Sequence, residues 1–193
     1  MKQTKIGITG GIGSGKSVVS HILRNCGVPV YDCDSESKRL TNTDSVIREE
    51  LTRLLGSDVY AGGQLNKPLL ASYIFGSDQH VRTVNAIIHP RVRADIGRWA
   101  MQHQDCRLLG VESAIFFEAD FTDVVDNIVM VYAPEEVRVR RVMTRDGASE
   151  TAVMQRMDRQ MSDEEKMHRC SYHILNDGKA ALMPQVLALI AGL

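Results

Sequence analysis

Residues Gly10 to Ser17 read GGIGSGKS and fit the spacing G-x-x-x-x-G-K-[ST]. Residues of these types at this spacing hold phosphate. Gly10, Gly11, Gly13 and Gly15 let backbone amides approach phosphate oxygens closely and turn inward as an anion nest. Lys16 is placed to reach the β- and γ-phosphates of a nucleotide, and the Ser17 hydroxyl to complete a magnesium shell. A second set ends the run VPVYDCD, where Asp32 and Asp34 stand two residues apart. One carboxylate could orient magnesium or its waters, and the other could accept the proton of an attacking hydroxyl. Capping of the following helix is the alternative use of such an aspartate. A third set is Arg138, Arg141 and Arg145, which a helix would project from one face. Guanidinium forks suit a triphosphate; a solvated face paired with Asp146 and Glu150 is the other reading. Together the three sets point to phosphoryl transfer from a nucleoside triphosphate to a hydroxyl.

These side chains need elements to position them. Ile6 and Ile8 form an apolar strand entering the loop, and Val18, Val19, Ile22 and Leu23 give the stripe of a helix leaving it. The amides of that helix start, with their partial positive charge, then face the phosphates. Further strands are predicted over Val28 to Asp32, Leu108 to Glu112, Ile128 to Ala133 and Tyr172 to Leu175, alternating with helices. That pattern predicts an α/β fold with a doubly wound, parallel, five-stranded sheet. Ligands of such sheets gather beyond the carboxyl ends of the strands, where the loop and the aspartate pair both fall. In a strand this spacing puts Asp32 and Asp34 on one face, so both carboxylates are expected to face the γ-phosphate.

From 35 to 105 the chain shows only helical periodicity and turns. The clearest stripe is Val81, Val84, Ile88, Val92, Ile96 and Trp99. Pro90 lies inside it, which predicts a break or kink and a second helix starting near Pro90. The interval is too long for a crossover, so a helical insertion covering the substrate side is expected. Pro134, Glu135 and Glu136 mark the start of the arginine-bearing helix. Beyond it, Ser149 to Arg169 is polar and helix-prone, with five methionines between Met143 and Met167. That suits a movable cover, plain core packing being the alternative.

The 193 residues suffice for one substantial core, and a net charge of −1 implies no general affinity for nucleic acid or anionic membrane. Cys26, Cys33, Cys106 and Cys170 have no C-x-x-C spacing, which argues against a zinc site or disulfide framework and for a reducing compartment. Met1 leads straight into the first strand, and Ala180 to Leu193 is interrupted by Pro184 and too short to span a bilayer. A cytoplasmic protein is expected.

Over nearly its whole length the chain resembles the dephospho-coenzyme A kinase family. ITGGIGSGKS matches the family's loop, and Asp32-Cys33-Asp34 is similar to its D-A-D segment. Ile88-His89-Pro90 is similar to L-H-P, and Ile115-Phe116-Phe117-Glu118 to the apolar run ending in Glu. Arg141 to Asp146 is similar to R-x-x-x-R-D, and Gln160 to Lys166 with Asn176-Asp177-Gly178 to the C-terminal pattern. The resemblance implies a P-loop NTPase-type core from 1–34, 106–137 and 170–193, a helical substrate domain over 35–105 and a lid over 138–169. It implies transfer of the γ-phosphoryl group of ATP, with magnesium, to the ribose 3′-hydroxyl of dephospho-coenzyme A. Asp34 would then be the general base, aided by Lys16 and Arg141. ATP would be held by Gly11, Ile12, Gly13, Ser14, Gly15, Lys16, Ser17, Val18, Arg141, Arg145 and Asn176, the last near the adenine. Ser17 would bind magnesium. Asp32, Asp34, His89 and Arg91 would line the substrate side, His89 having a helix-capping or packing role beside Pro90 as its alternative. The implied partners are small molecules only, on a monomer or weak oligomer.

Three positions depart from the family pattern: Val18 replaces Thr, Lys38 replaces an Arg, and Glu112-Ser113-Ala114 replaces a Pro-containing version. Glu112 could serve as an acid behind magnesium or cap a helix. Shikimate kinases share the loop and an Asp-x-Asp, so the acceptor hydroxyl is a separate question. A GTP-binding switch is the other class. Asn66-Lys67-Pro68-Leu69 resembles the guanine-reading N-K-x-D but lacks its Asp.

Overall fold

The structure is a computed structural model that describes residues 3–193, so the first two residues of the 1–34 segment lie outside the described residues. In chain order the elements begin with β1 (Thr4–Thr9), α1 (Lys16–Asn25), β2 (Val30–Asp32), α2 (Cys33–Thr43), α3 (Ser45–Leu55), α4 (Lys67–Ile74) and α5 (Asp78–Gln102). They continue with β3 (Leu108–Glu112), β4 (Asn127–Tyr132), α6 (Glu135–Asp146), α7 (Glu150–Met157), α8 (Asp163–Arg169), β5 (Tyr172–Leu175) and α9 (Leu182–Gly192). The chain divides into two compact units, Met1–Asp32 with Trp99–Leu193, and Cys33–Arg98.

The first unit is built on a five-stranded sheet of order β2-β3-β1-β4-β5, every neighbouring pair parallel. β1 is central, and Ile6 and Ile8 are fully buried with Val129 and Val131 of β4 and Ile174 of β5. Val19 and Leu23 of α1 and Val186 and Leu189 of α9 complete this core. Gly7 points to the other face, where the Phe116 ring packs so tightly that a Cβ would lie 2.8 Å from its Cζ. Val28 was expected to open β2, but the strand starts at Val30. The Val28 N–H donates to Leu23 O at 3.0 Å, closing α1, and Pro29 has no N–H for a ladder.

The second unit holds α2, α3, α4 and the first 21 residues of α5, from Asp78 to Arg98. Asp44 caps α3 by accepting from the Val46 and Ile47 amides at 3.1 Å, and Asn66 caps α4 by accepting from Leu69 N at 3.2 Å. The Asn66-Lys67-Pro68-Leu69 segment is therefore a helix start with proline in its first turn.

The expected break at Pro90 is absent: α5 runs unbroken through it. Proline removes one helical hydrogen bond and crowds the carbonyl four residues back. Val84 and Ile88 before it and Val92 and Ile96 after it are all buried, so packing holds both halves in one helix. Pro90 itself is exposed.

Candidate active site

The Gly10 to Gly15 loop leaves the carboxyl end of β1 and enters α1, as the spacing required. Gly15 stands immediately before α1 at φ 90, a left-handed conformation costly for any other residue, and a Cβ there would strike the Asn176 amide. Lys16 arches back over the loop and donates from Nζ to Gly10 O at 2.9 Å and Gly11 O at 3.4 Å. Ser17 and Val18 are exposed in the first turn of α1, where amides carry the partial positive charge of the helix. Exposure of Val18 explains why valine is tolerated at a position where a threonine was expected.

β5 delivers a second group of side chains to the loop. Asn176 follows Leu175, whose register partner is Tyr132, and its backbone N–H donates to Tyr132 O at 2.7 Å. Its side chain is buried, with Nδ2 donating to Ser14 O at 2.8 Å and Oδ1 accepting from Arg141 Nη2 at 3.3 Å. Arg141 Nη1 also donates to Asn176 O at 3.0 Å and Gly13 O at 3.4 Å. Asn176 and Arg141 are thus joined to each other and to the loop backbone. Arg145 is exposed and held by its neighbour Asp146, Nε to Oδ1 at 2.7 Å, with Arg156 on the other oxygen at 2.7 Å. These two guanidinium groups hold the Asp146 carboxyl well below the usual carboxylate range. Of the three arginines expected on one face, Arg138 and Arg141 touch the loop and Arg145 is engaged by Asp146.

The acids arrive on the opposite side of β1. Parallel register sets Glu112 beside Ile8 and Asp32 beside Glu112, at the carboxyl ends of adjacent strands. Burial pushes the Glu112 carboxyl above its ordinary value; the Ser20 hydroxyl pulls it back, the Asp32 charge raises it again, and Lys16 and Arg24 oppose. Glu112 therefore shares its electrostatic surroundings with Lys16, on the nucleotide side of the sheet. Asp34 does not continue β2: the strand ends at Asp32, and Asp34 is exposed in the first turn of α2, in the second unit. The shared strand face expected for the pair is corrected accordingly. A carboxylate is stabilised at a helix start by the backbone amides, which is why the strand gives way there.

His89 and Arg91 also belong to the second unit, within α5. Being mid-helix, His89 is not a cap, and burial, reinforced by the Arg93 charge, lowers its tendency to protonate. Two residues along a helix turn through about 200°, so His89 and Arg91 do not share a face. Arg91 forks onto Asp44, with Nη2 to Oδ2 at 2.8 Å and Nε to Oδ1 at 3.1 Å.

Sequence reasoning missed a third group. A cavity of about 620 Å³ beside the loop is lined by Gly11, Tyr132, Glu135, Arg138, Gln160 and Asp163, among others. Gln160 Oε1 accepts from the Ile12 amide at 2.9 Å, and Arg138 pairs with Asp163 at 2.6 Å. No local spacing signals contacts between residues 148 and 25 positions apart.

The CoaE family model, dephospho-CoA kinase, matches residues 4–181. A dephospho-CoA kinase of Bacteroides fragilis is 58% identical over 188 residues, which span 97% of this chain and 91% of that protein. A dephospho-CoA kinase of Porphyromonas gingivalis is 44% identical over 186 residues, 96% of this chain and 92% of that one. A crystal structure of a Thermus thermophilus protein superposes with a TM-score of 0.87 at 34% identity, covering all of this chain and 99% of the other.

Proposed function

Because the chain belongs to the dephospho-CoA kinase family, we propose that the loop unit carries ATP and that the helical unit receives dephospho-CoA. The chain phosphorylates dephospho-CoA with ATP to give CoA. The finer reading is in-line attack by the ribose 3′-hydroxyl oxygen on the γ-phosphorus. The new P–O bond forms as the bond to the β–γ bridging oxygen breaks, ADP leaves, and the hydroxyl proton passes to a carboxylate. Asp34 is the proposed acceptor of that proton. It is exposed, stands at a helix start and follows two residues after Asp32 in the chain.

The observation that carries the reading is the convergence on β1: the loop with Lys16 leaves its carboxyl end, and Glu112 and Asp32 end the next two strands in register. Lys16, with Arg141 fixed by Asn176, would balance charge on the triphosphate. The donor set suits magnesium, which takes one or two protein oxygens and completes its octahedron with phosphates and water. Ser17 would supply the hydroxyl, with Asp32 and Glu112 behind it, and the ion would neutralise charge on the phosphate oxygens. Segment 138–169 is proposed as the lid closing over ATP, its arginines already bonded to the loop. None of the described helices is long and apolar enough to cross a membrane. The reading is of a cytoplasmic enzyme acting on small molecules, as a monomer or weak oligomer.

The test is ADP release by the purified protein with magnesium and ATP, offered dephospho-CoA, shikimate or no acceptor. Turnover confined to dephospho-CoA, with the phosphoryl group appearing on the ribose 3′ oxygen, is expected. Turnover with shikimate, or phosphate at another position, would overturn the reading.

A further inference from the structure

One buried cation at the loop has no part in the transfer step above. Arg138 is 6% exposed, and its guanidinium lies so close to Gly11 that a Cβ there would collide with Nη1. Nη2 pairs with Asp163 Oδ2 at 2.6 Å, and Nη1 donates to the Ile12 carbonyl at 3.4 Å. The Ile12 amide donates to Gln160 at 2.9 Å, and the Ile12 side chain packs against Val139, Val142, Val153 and Met157. Both peptide groups flanking Ile12, and its side chain, are therefore gripped by residues from α6 to the start of α8.

We propose that Arg138 is a positioning residue for the phosphate loop. Anchored by Asp163, it fixes the Gly11–Ile12–Gly13 turn, and it affects nucleotide binding through the loop's amides without touching the triphosphate. Two features support action at a distance from phosphate. Nη2 and Nη1 are engaged by Asp163 and Ile12 while the buried Nε has no partner among the described residues, and swinging the guanidinium away would leave the Asp163 carboxylate, 19% exposed, uncompensated beside an incoming polyanion. Glycine at position 11 is explained as well, since any side chain there would displace the guanidinium. This inference rests on the reading that the loop holds ATP.

Asp163→Asn decides it, because the variant is isosteric and leaves every loop residue and Arg138 in place. Affinities for ATP and for ADP, measured by calorimetry, are expected to fall together by about tenfold, since a misplaced loop loses both nucleotides. The KM for ATP should rise by the same factor while kcat at saturating ATP stays within about twofold. Arg138→Lys keeps the charge but not the fork, so it should not rescue and should show the same paired loss. Unchanged or tighter ATP binding by Asp163→Asn, or loss of ATP affinity with ADP unaffected, would overturn the proposal in favour of direct contact between Arg138 and the γ-phosphate. Because nucleotide affinity needs no acceptor, the result stands apart from failure of the wild type to use dephospho-CoA, which would sink the functional reading instead.

Discussion

The contact between Gly15 and Asn176 makes a quantitative prediction that links loop shape to stability. Gly15→Ala places a methyl group at φ 90, for which the left-handed conformation costs about 1–2 kcal/mol. The same methyl strikes the Asn176 amide, which must give up its bond to Ser14 O. Leaving that buried acceptor unsatisfied costs a further ~1–3 kcal/mol, so the variant should lose about 2–5 kcal/mol. Asn176→Ala removes the Ser14 bond and half of the Arg141 contact directly, at about 1–3 kcal/mol.

In the double variant the methyl meets no amide, so the Ser14 bond is lost once rather than twice and Gly15→Ala adds only its backbone term; the two single losses together must exceed the double loss by about 1–3 kcal/mol. Urea unfolding of the four proteins, with the slope against denaturant unchanged, gives the cycle. A coupling below about 0.5 kcal/mol would refute the reasoning, because it would mean that Gly15 is required for its φ value alone and that Asn176 does not shape the loop.

Asp34→Asn should lower kcat by at least ~10²-fold with ATP affinity nearly unchanged, and near-normal turnover in a quenched-flow assay would remove Asp34 from the base role. Glu112 binds a proton more tightly folded than unfolded, so its ionisation withdraws stability as pH rises from its ordinary value of 4.5 through its raised folded value. Glu112→Gln should therefore melt higher than wild type at pH 7, by a margin that shrinks to nothing below pH 4.5, while its turnover falls; a pH-independent difference would contradict this. Pro90→Ala should raise thermal stability by about 1–3 kcal/mol, since the exposed ring contributes no burial and its removal restores a helical hydrogen bond. A lower melting temperature would show that α5 depends on the local geometry proline imposes.

Where local chemistry decides conformation, the chain was legible. Four glycines, a lysine and a serine between an apolar strand and an amphipathic helix mark a strand–loop–helix unit, and the structure has it. β1, β3 and β4 were found because most of their residues are buried, so their apolar runs are nearly continuous. Strand order was not legible, since nothing in Leu108–Glu112 states that it inserts between β1 and β2. At Asp34 a period of two was carried one step too far: the strand face ended at Asp32, and the helix-start preference of aspartate prevailed. At Pro90 the local rule lost to packing, because four buried side chains flanking the proline outweigh one missing hydrogen bond. The Arg138–Asp163 pair was invisible because its register depends on the turn connecting α7 to α8, and the sequence around residues 158–162 fixes no length or direction for that turn.

These distant contacts explain how a flexible glycine loop comes to hold one shape. Five consecutive carbonyls are met by side-chain donors: Gly10 and Gly11 by Lys16, Ile12 by Arg138, Gly13 by Arg141 and Ser14 by Asn176. Drawing the carbonyls to protein donors fixes the peptide planes between them, with the Ile12 amide donating to Gln160 and the Ser14 amide to Gly11 O. Three of the four donors are cationic, so they also raise the potential at the loop, and Asp163 tempers that charge at Arg138 alone. Glycine supplies the permission for this backbone but not the choice among the many conformations it permits. The choice comes from α6, α8 and the end of β5, so the phosphate site is a property of the whole loop unit, and its affinity should respond to substitutions 120 or more residues away from the motif that announces it.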